Sequence, residues 1–149
     1  MSKRGFTFIE LLVVLSVITI LVSLVGGYFS SSLKRSRDQQ RLNDIKQYQT
    51  ALENYANNND SLYPIFVNTV SAATAVCPNL GSLMSKCIED PSFPNAGFVY
   101  NYQSSVDGFK WVLWAKVEAT QSYWISCSNR KSGTKTATGF SVNLGNCPL

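Results

Sequence analysis

With 149 residues, thirteen Lys and Arg against nine Asp and Glu, and no histidine, the chain has room for one modest domain at a formal charge of +4. The missing histidine removes the commonest general base and the commonest metal ligand. The small basic excess argues against a dedicated nucleic-acid binder, whose positive charge is larger and clustered.

The chain opens on Lys3-Arg4-Gly5, a short basic leader, followed by Phe6-Thr7-Phe8-Ile9-Glu10-Leu11-Leu12. From Leu11 to Gly27 no residue is charged. As a helix, residues 6–29 would be roughly 36 Å long, enough to cross a hydrocarbon core about 30 Å thick with some tilt. A removable secretory signal fits less well, because its apolar core is usually only about 7–15 residues and ends at a small-residue cleavage site. Orientation has two readings. Lys34, Arg35, Arg37 and Arg41 after the span would hold the C-terminal side in the cytoplasm by the positive-inside rule. The four cysteines, Cys77, Cys87, Cys127 and Cys147, lack zinc-ligand spacing and read as disulfides of an oxidising compartment. The cysteines decide it: N-terminus inside, domain outside.

Glu10 is the anomaly. A carboxylate within a membrane segment costs about 2.5–3.5 kcal/mol on insertion scales, so it needs an interface, a proton or a partner. Cleavage after Gly5 would create an α-amine on Phe6, one helical turn from Glu10, and in a bundle of staggered identical helices that amine reaches a neighbour's carboxylate. Such a pair sets register more than it adds stability, since burying both ions offsets much of their attraction.

At these residues the chain resembles the type IV pilin and pseudopilin superfamily: Lys3-Arg4-Gly5-Phe6-Thr7-Phe8-Ile9-Glu10-Leu11-Leu12-Val13-Val14 is similar to its prepilin signature almost letter for letter. The resemblance implies cleavage between Gly5 and Phe6 by a membrane-embedded prepilin peptidase, N-methylation of Phe6, and a registration role for Glu10 in filament assembly. It implies as partners further copies of the chain, the peptidase/methylase, and an inner-membrane assembly platform with its ATPase. The subunit would be a single-pass protein of the cytoplasmic membrane before assembly and part of an extracellular filament after it.

Beyond the apolar run the helix continues. Leu42, Ile45, Gln49, Leu52 and Tyr55-Ala56 recur at three- and four-residue steps, with Arg41, Asn43, Asp44, Lys46 and Gln47 assigned to the other faces. The first half is thus apolar all round and the second amphipathic. Asn57-Asn58-Asn59-Asp60 and Pro64 end it, and Leu62-Tyr63-Pro64 resembles the Tyr-Pro that often follows this helix in the family. Gly26-Gly27 lies where family members often carry a proline, and stands as a soft point or a close-packing site. Lys34-Arg35-Ser36-Arg37 with Arg41 is the densest basic cluster; Asp38, Asp44 and Glu53 dilute it, so a solvated or lipid-facing stem outweighs DNA contact.

Residues 65–95 read as a connecting region, with short helices expected over 68–76 and 82–86. After Gly97 the period becomes two: Phe98, Tyr100 and Tyr102, then the Asp107-Gly108 turn, then Trp111, Leu113 and Ala115. Tyr123, Ile125 and Cys127 make a third strand, and Phe140 and Val142 belong to a candidate fourth. The expected class is α+β: a long N-terminal helix packed on a C-terminal antiparallel sheet, organised as leader 1–5, filament-core helix 6–29, amphipathic helix 30–60 and a stapled globular domain 61–149. Four cysteines permit three pairings; the local choice is Cys77–Cys87 with Cys127–Cys147. In the resembled family a C-terminal cysteine pair often brackets a variable surface loop, and Cys127 and Cys147 match those positions. Arg130, Lys131 and Lys135 in that loop, beside Trp124, are candidate contacts to DNA or a surface ligand, weighed against an ordinary soluble loop.

Catalysis finds little footing. Ser31-Ser32-Leu33-Lys34 has Ser-x-x-Lys spacing but none of the partner motifs of penicillin-binding enzymes. Glu89-Asp90 forms no metal loop, and no acidic residue follows Glu118, unlike the calcium-binding major pseudopilins of type II secretion. No enzyme activity, metal or cofactor is expected. The leading expectation is a structural filament subunit. Its alternatives are a minor or competence-type pilin, a type II secretion pseudopilin, and a bitopic anchor that never polymerises.

Overall fold

The computed structural model describes residues 5–95, 97–143 and 145–149; within the helix, the side chains of residues 24–28 lie outside that description. Helix α1, Phe8–Asn57, runs for 50 residues. Two units carry it: Met1–Lys34 and Arg35–Leu149. In the first, the described apolar side chains from Phe8 to Val22 are exposed all round the helix. Its hydroxyls do not interrupt that surface, because Ser16, Thr19 and Ser23 donate to the carbonyls of Val13, Leu15 and Ile20 at 2.7–2.8 Å. The Gly26-Gly27 soft point falls on side chains outside the described residues.

The second unit is α+β. Past the last helical turn the chain enters the left-handed region at Asp60 (φ 53°) and Ser61 (φ 63°), and the Ser61 N–H donates to the Ala56 carbonyl at 2.9 Å, closing the exposed end of the helix. Strands β1 (Val70–Ser71), β2 (Asn101–Ser104), β3 (Trp111–Lys116), β4 (Ser122–Cys127) and β5 (Ser132–Thr136) form one sheet in that order, every neighbour antiparallel. Trp111, Leu113 and Ala115 of β3 point with Tyr100 and Tyr102 toward Ile45, Tyr48, Ala51 and Leu52 of α1. This is the main core. Its aromatic members meet edge-on or stacked, as Tyr63–Trp111 and Tyr102–Trp111 do at 5.9 and 6.5 Å between centroids.

Several expectations change. The helix expected over 68–76 is confined to Ala72–Val76, a π-helix running into a short helix α2 at Cys77–Leu80, while Val70–Ser71 pairs with β2. Over 82–86 only the 3₁₀ turn Gly81–Leu83 forms. The strand after β4 is the polar Ser132–Thr136, which shows no apolar alternation, and Phe140 and Val142 lie outside any strand. They cover the outer face of the sheet instead, where Val112, Trp114, Ile125 and Cys127 make a second apolar cluster. Phe140 stacks on Tyr123 at 4.6 Å and stands edge-on to Trp114 at 5.8 Å. The sheet is therefore covered on both faces.

The largest departure is on α1. Arg41 and Asp44, assigned to outward faces by their charge, are buried. Arg41 falls seven residues before Tyr48 and four before Ile45, in phase with the apolar stripe. Position on the helix decided its burial, and charge did not.

Candidate functional site

Thr7 precedes the first helical residue, and its hydroxyl oxygen accepts the Glu10 N–H at 3.4 Å while the hydroxyl lies 3.5 Å from the Glu10 carboxylate. Thr7-Phe8-Ile9-Glu10 is thus a capping-box sequence with long contacts. Among the described residues no cation lies within ion-pair distance of Glu10. The carboxylate is an exposed charge on a helix whose neighbouring side chains are Phe8, Ile9, Leu11 and Leu12. Gly5 has nothing within 4 Å of where a Cβ would stand, so the backbone there is open. Phe6 is 76 % exposed. Lys3 and Arg4 lie outside the described residues. Among those residues no helix is long and apolar enough to cross a membrane. The described run 8–23 would reach about 24 Å, short of a core about 30 Å thick, and the 6–29 span passes through side chains outside the description.

The cysteines are joined as Cys77–Cys87 and Cys127–Cys147, with Cα separations of 5.5 and 5.7 Å. The first staples α2 to the loop that runs along α1, and the Tyr48 hydroxyl fixes that loop by donating to the Ile88 carbonyl at 2.8 Å and accepting the Ile88 N–H at 3.1 Å. The second ties the end of β4 to the C-terminal segment over the outer face. Gly145 seats that segment. At φ 71° its added Cβ would lie 2.6 Å from the Ser105 nitrogen and 2.7 Å from the Lys110 oxygen, so no other residue fits.

Of the candidate surface contacts, Arg130 and Lys131 are exposed at the β4–β5 turn, Arg130 in the left-handed region at φ 64°. Lys135 pairs across the strands with Tyr123 and donates to the Pro148 carbonyl at 2.6 Å. Trp124 pairs with Thr134 and packs on the helix-side core. Neighbouring positions on a strand point to opposite faces, so Lys135 and Trp124 lie on opposite sides of the sheet and form no common patch.

A charged cluster that the linear sequence did not indicate sits where α1 meets the loops. Arg41 donates to both oxygens of Asp90 at 2.7 and 2.9 Å, to Asp38 at 2.7 Å and to Ser92 at 2.8 Å, and its guanidinium lies 4.6 Å from the Phe98 ring centre. Arg37 makes a two-point pair with Glu118 at 2.8 and 2.6 Å. Asp38 accepts the Glu118 and Ala119 N–H groups at 2.8 and 2.9 Å, tying the β3–β4 turn to the helix. Burial pulls the Arg41 pKa down, but its bonds to Asp90 and Asp38 outweigh that and hold it above the ordinary arginine value. The bond from Arg37 holds Glu118 below the usual carboxylate range. Burial raises Asp44, which accepts the Tyr100 hydroxyl at 2.6 Å. The supposed basic cluster therefore splits: Arg41 is buried inside the domain, and Arg37, partly exposed, is paired with Glu118.

No curated protein and no solved structure matches this chain. Residues 1–26 match the family model described as the prokaryotic N-terminal methylation motif. This signal implies a membrane-anchored precursor, processed by a prepilin peptidase and handed to pilus-type assembly machinery that delivers it to an extracellular filament. The match covers Gly5, Phe6 and Glu10, the α+β domain behind it has the expected helix and antiparallel sheet, and together they support placing the chain with the type IV pilins and pseudopilins.

Proposed function

We propose that the chain is a structural filament subunit, stored in the membrane through residues 6–29 and polymerised through that helix once the leader is cut between Gly5 and Phe6. The observation that carries this reading is the helix surface from Phe8 to Val22: apolar on every side and interrupted by one carboxylate, Glu10, that has no cation beside it among the described residues. Such a surface calls for lipid or other helices as its surroundings, and the lone carboxylate calls for a cation within them. The methylated Phe6 amine of a neighbouring subunit supplies it. The peptidase/methylase, an inner-membrane platform and its ATPase are the partners this assembly needs, and energy input comes from them. Mass spectrometry of the purified native protein tests the processing: the mature chain begins at Phe6, carries one added methyl group and has lost four hydrogens to two disulfides. Glu10→Ala should leave cleavage intact and reduce filaments sharply; abundant normal filaments from that variant would sink the registration role.

A second reading has one observation in its favour. Lys110 and Lys131 line a groove of about 290 Å³ beside Cys147, with Ser128, Asn129 and Asn146 but no acidic side chain in its walls. DNA contact there would make binding weaken steeply with salt. Retention of the filament on DNA cellulose that is insensitive to salt, or absent, rejects it.

A further inference from the structure

Two surfaces of the Arg35–Leu149 unit are built and left unused by the reading above. One is a groove of about 570 Å³ along the outer side of α1, walled on the far side by the loop that Cys77–Cys87 staples. Ala51, Leu83, Met84 and Ile88 give it an apolar floor, and Lys46 and Lys86 stand among its polar lining residues. No acidic side chain lines it, and among the described residues neither lysine is in an ion pair. Its charge is uncompensated. The walls are fixed by the paired Tyr48–Ile88 hydrogen bonds.

The other is the β2–β3 turn. Val106 and Phe109 are 71 % and 57 % exposed, flanking Asp107, and Ile65 beside them is exposed too. This knob is rigid: Tyr63 N–H donates to the Gly108 carbonyl at 2.9 Å, Ser105 N–H to the Lys110 carbonyl at 2.9 Å, and a Cβ on Gly108 would lie 3.2 Å from Ile65. The Asp107 carboxylate accepts the Ser105 hydroxyl and, at 3.1 Å, the Phe109 N–H. Both bonds engage the same oxygen, and Asp107 is exposed.

We infer that the turn Val106–Phe109 of one subunit docks in the Lys46/Lys86 groove of the next, its two apolar side chains on the floor and its carboxylate between the lysines. The occupant is a second copy because the chain itself carries the complement: a single carboxylate between two exposed apolar groups, facing an apolar floor with two unpaired cations. Both surfaces are held in shape before contact, which limits the ordering cost of association. They are also different patches of one domain. A contact between unlike patches is heterologous, and where the rotation does not close it propagates as a helical filament instead of stopping at a dimer. The contact therefore deepens, and rests on, the filament reading.

The test uses the full chain in its producing strain. Lys86→Cys and Val106→Cys replace exposed side chains; filaments from cells making both variants should yield a disulfide-linked dimer, and filaments of either variant alone should not. Lys46→Glu with Lys86→Glu should cut sheared filament by about tenfold or more while membrane subunit levels stay unchanged, because like charges then meet Asp107. Mixed filaments that stay monomeric overturn the contact whatever the charge variant does. Parent cells that make mature subunit but no filament overturn the filament reading, and the contact falls with it.

Discussion

Arg41 shows how one side chain can be mistaken by its charge and recovered by its position. Its guanidinium is 1 % exposed and satisfied by Asp90, Asp38 and Ser92, so deleting it strands a carboxylate, Asp90, whose side chain is wholly buried. Breaking a buried pair from one side costs about 3–5 kcal/mol, whereas neutralising both partners together costs less. Arg41→Ala should therefore lower the unfolding free energy by about 3–5 kcal/mol and Arg41→Met by nearly as much, since both strand Asp90, while Arg41→Met with Asp90→Asn should regain much of the loss; a double variant no more stable than Arg41→Met in denaturant titrations would remove the stranded-charge explanation. The acid response also belongs to single residues. Glu118 is held below its ordinary pKa by Arg37, so its contribution is full above the unfolded value and is lost as pH falls through the lowered one. Asp44, raised by burial, runs the other way: what it contributes is full below the unfolded carboxylate pKa and lost as pH rises through its own raised value. Glu118→Gln should make the fall in melting temperature between about pH 5 and about pH 3 shallower than in the parent. An acid limb as steep as the parent's would contradict it. The Asp38 pair is a local i,i+3 spacing, but Asp90 is not visible in the sequence, since it lies 49 positions from Arg41 and no local pattern joins them.

At the scale of elements, legibility followed periodicity. The helix, β3 and β4 were readable because their apolar residues repeat at 3.6 or at two, and the Asp107-Gly108 turn because its residues suit the backbone it adopts. Strand β5 was not readable: Ser132-Gly133-Thr134-Lys135-Thr136 has no apolar face of its own and is a strand because β4 offers it a full ladder of partners. Phe140 and Val142 looked like a strand because they alternate, yet the same two side chains serve a loop folded over Trp114 and Tyr123. That loop depends on Gly145, whose conformation and clearance both exclude a side chain. Gly145→Ala should destabilise the domain by about 1–3 kcal/mol through overpacking, with added backbone strain at positive φ. Thermal melting reads the loss; an unchanged midpoint would mean that the segment is not seated on the hairpin as described.

At the scale of the molecule, the two units ask for different surroundings. The main core, from Ile45 to Ala115, lies wholly within Arg35–Leu149, as do both disulfides, the charged cluster and the sheet. Among the described residues the first unit has no buried apolar side chain. The N-terminal signal was legible because it is written in contiguous residues, Gly5, Phe6 and Glu10, while the proposed groove and knob had to be assembled from segments separated in sequence. It follows that a chain beginning at Arg35 should fold without the first unit, since the buried residues of both apolar clusters lie within that chain. It should unfold in one cooperative transition, and reduction should lower its midpoint, the Cys127–Cys147 loop alone contributing roughly 3 kcal/mol by restricting the unfolded chain. The same chain should never enter filaments, because it lacks both the apolar helix surface and Glu10. Calorimetry with and without reductant checks the first part. A broad, non-cooperative melt would show that the domain needs the first unit to fold, and recovery of the truncated chain in sheared filaments would show that assembly runs through the domain and not through the helix.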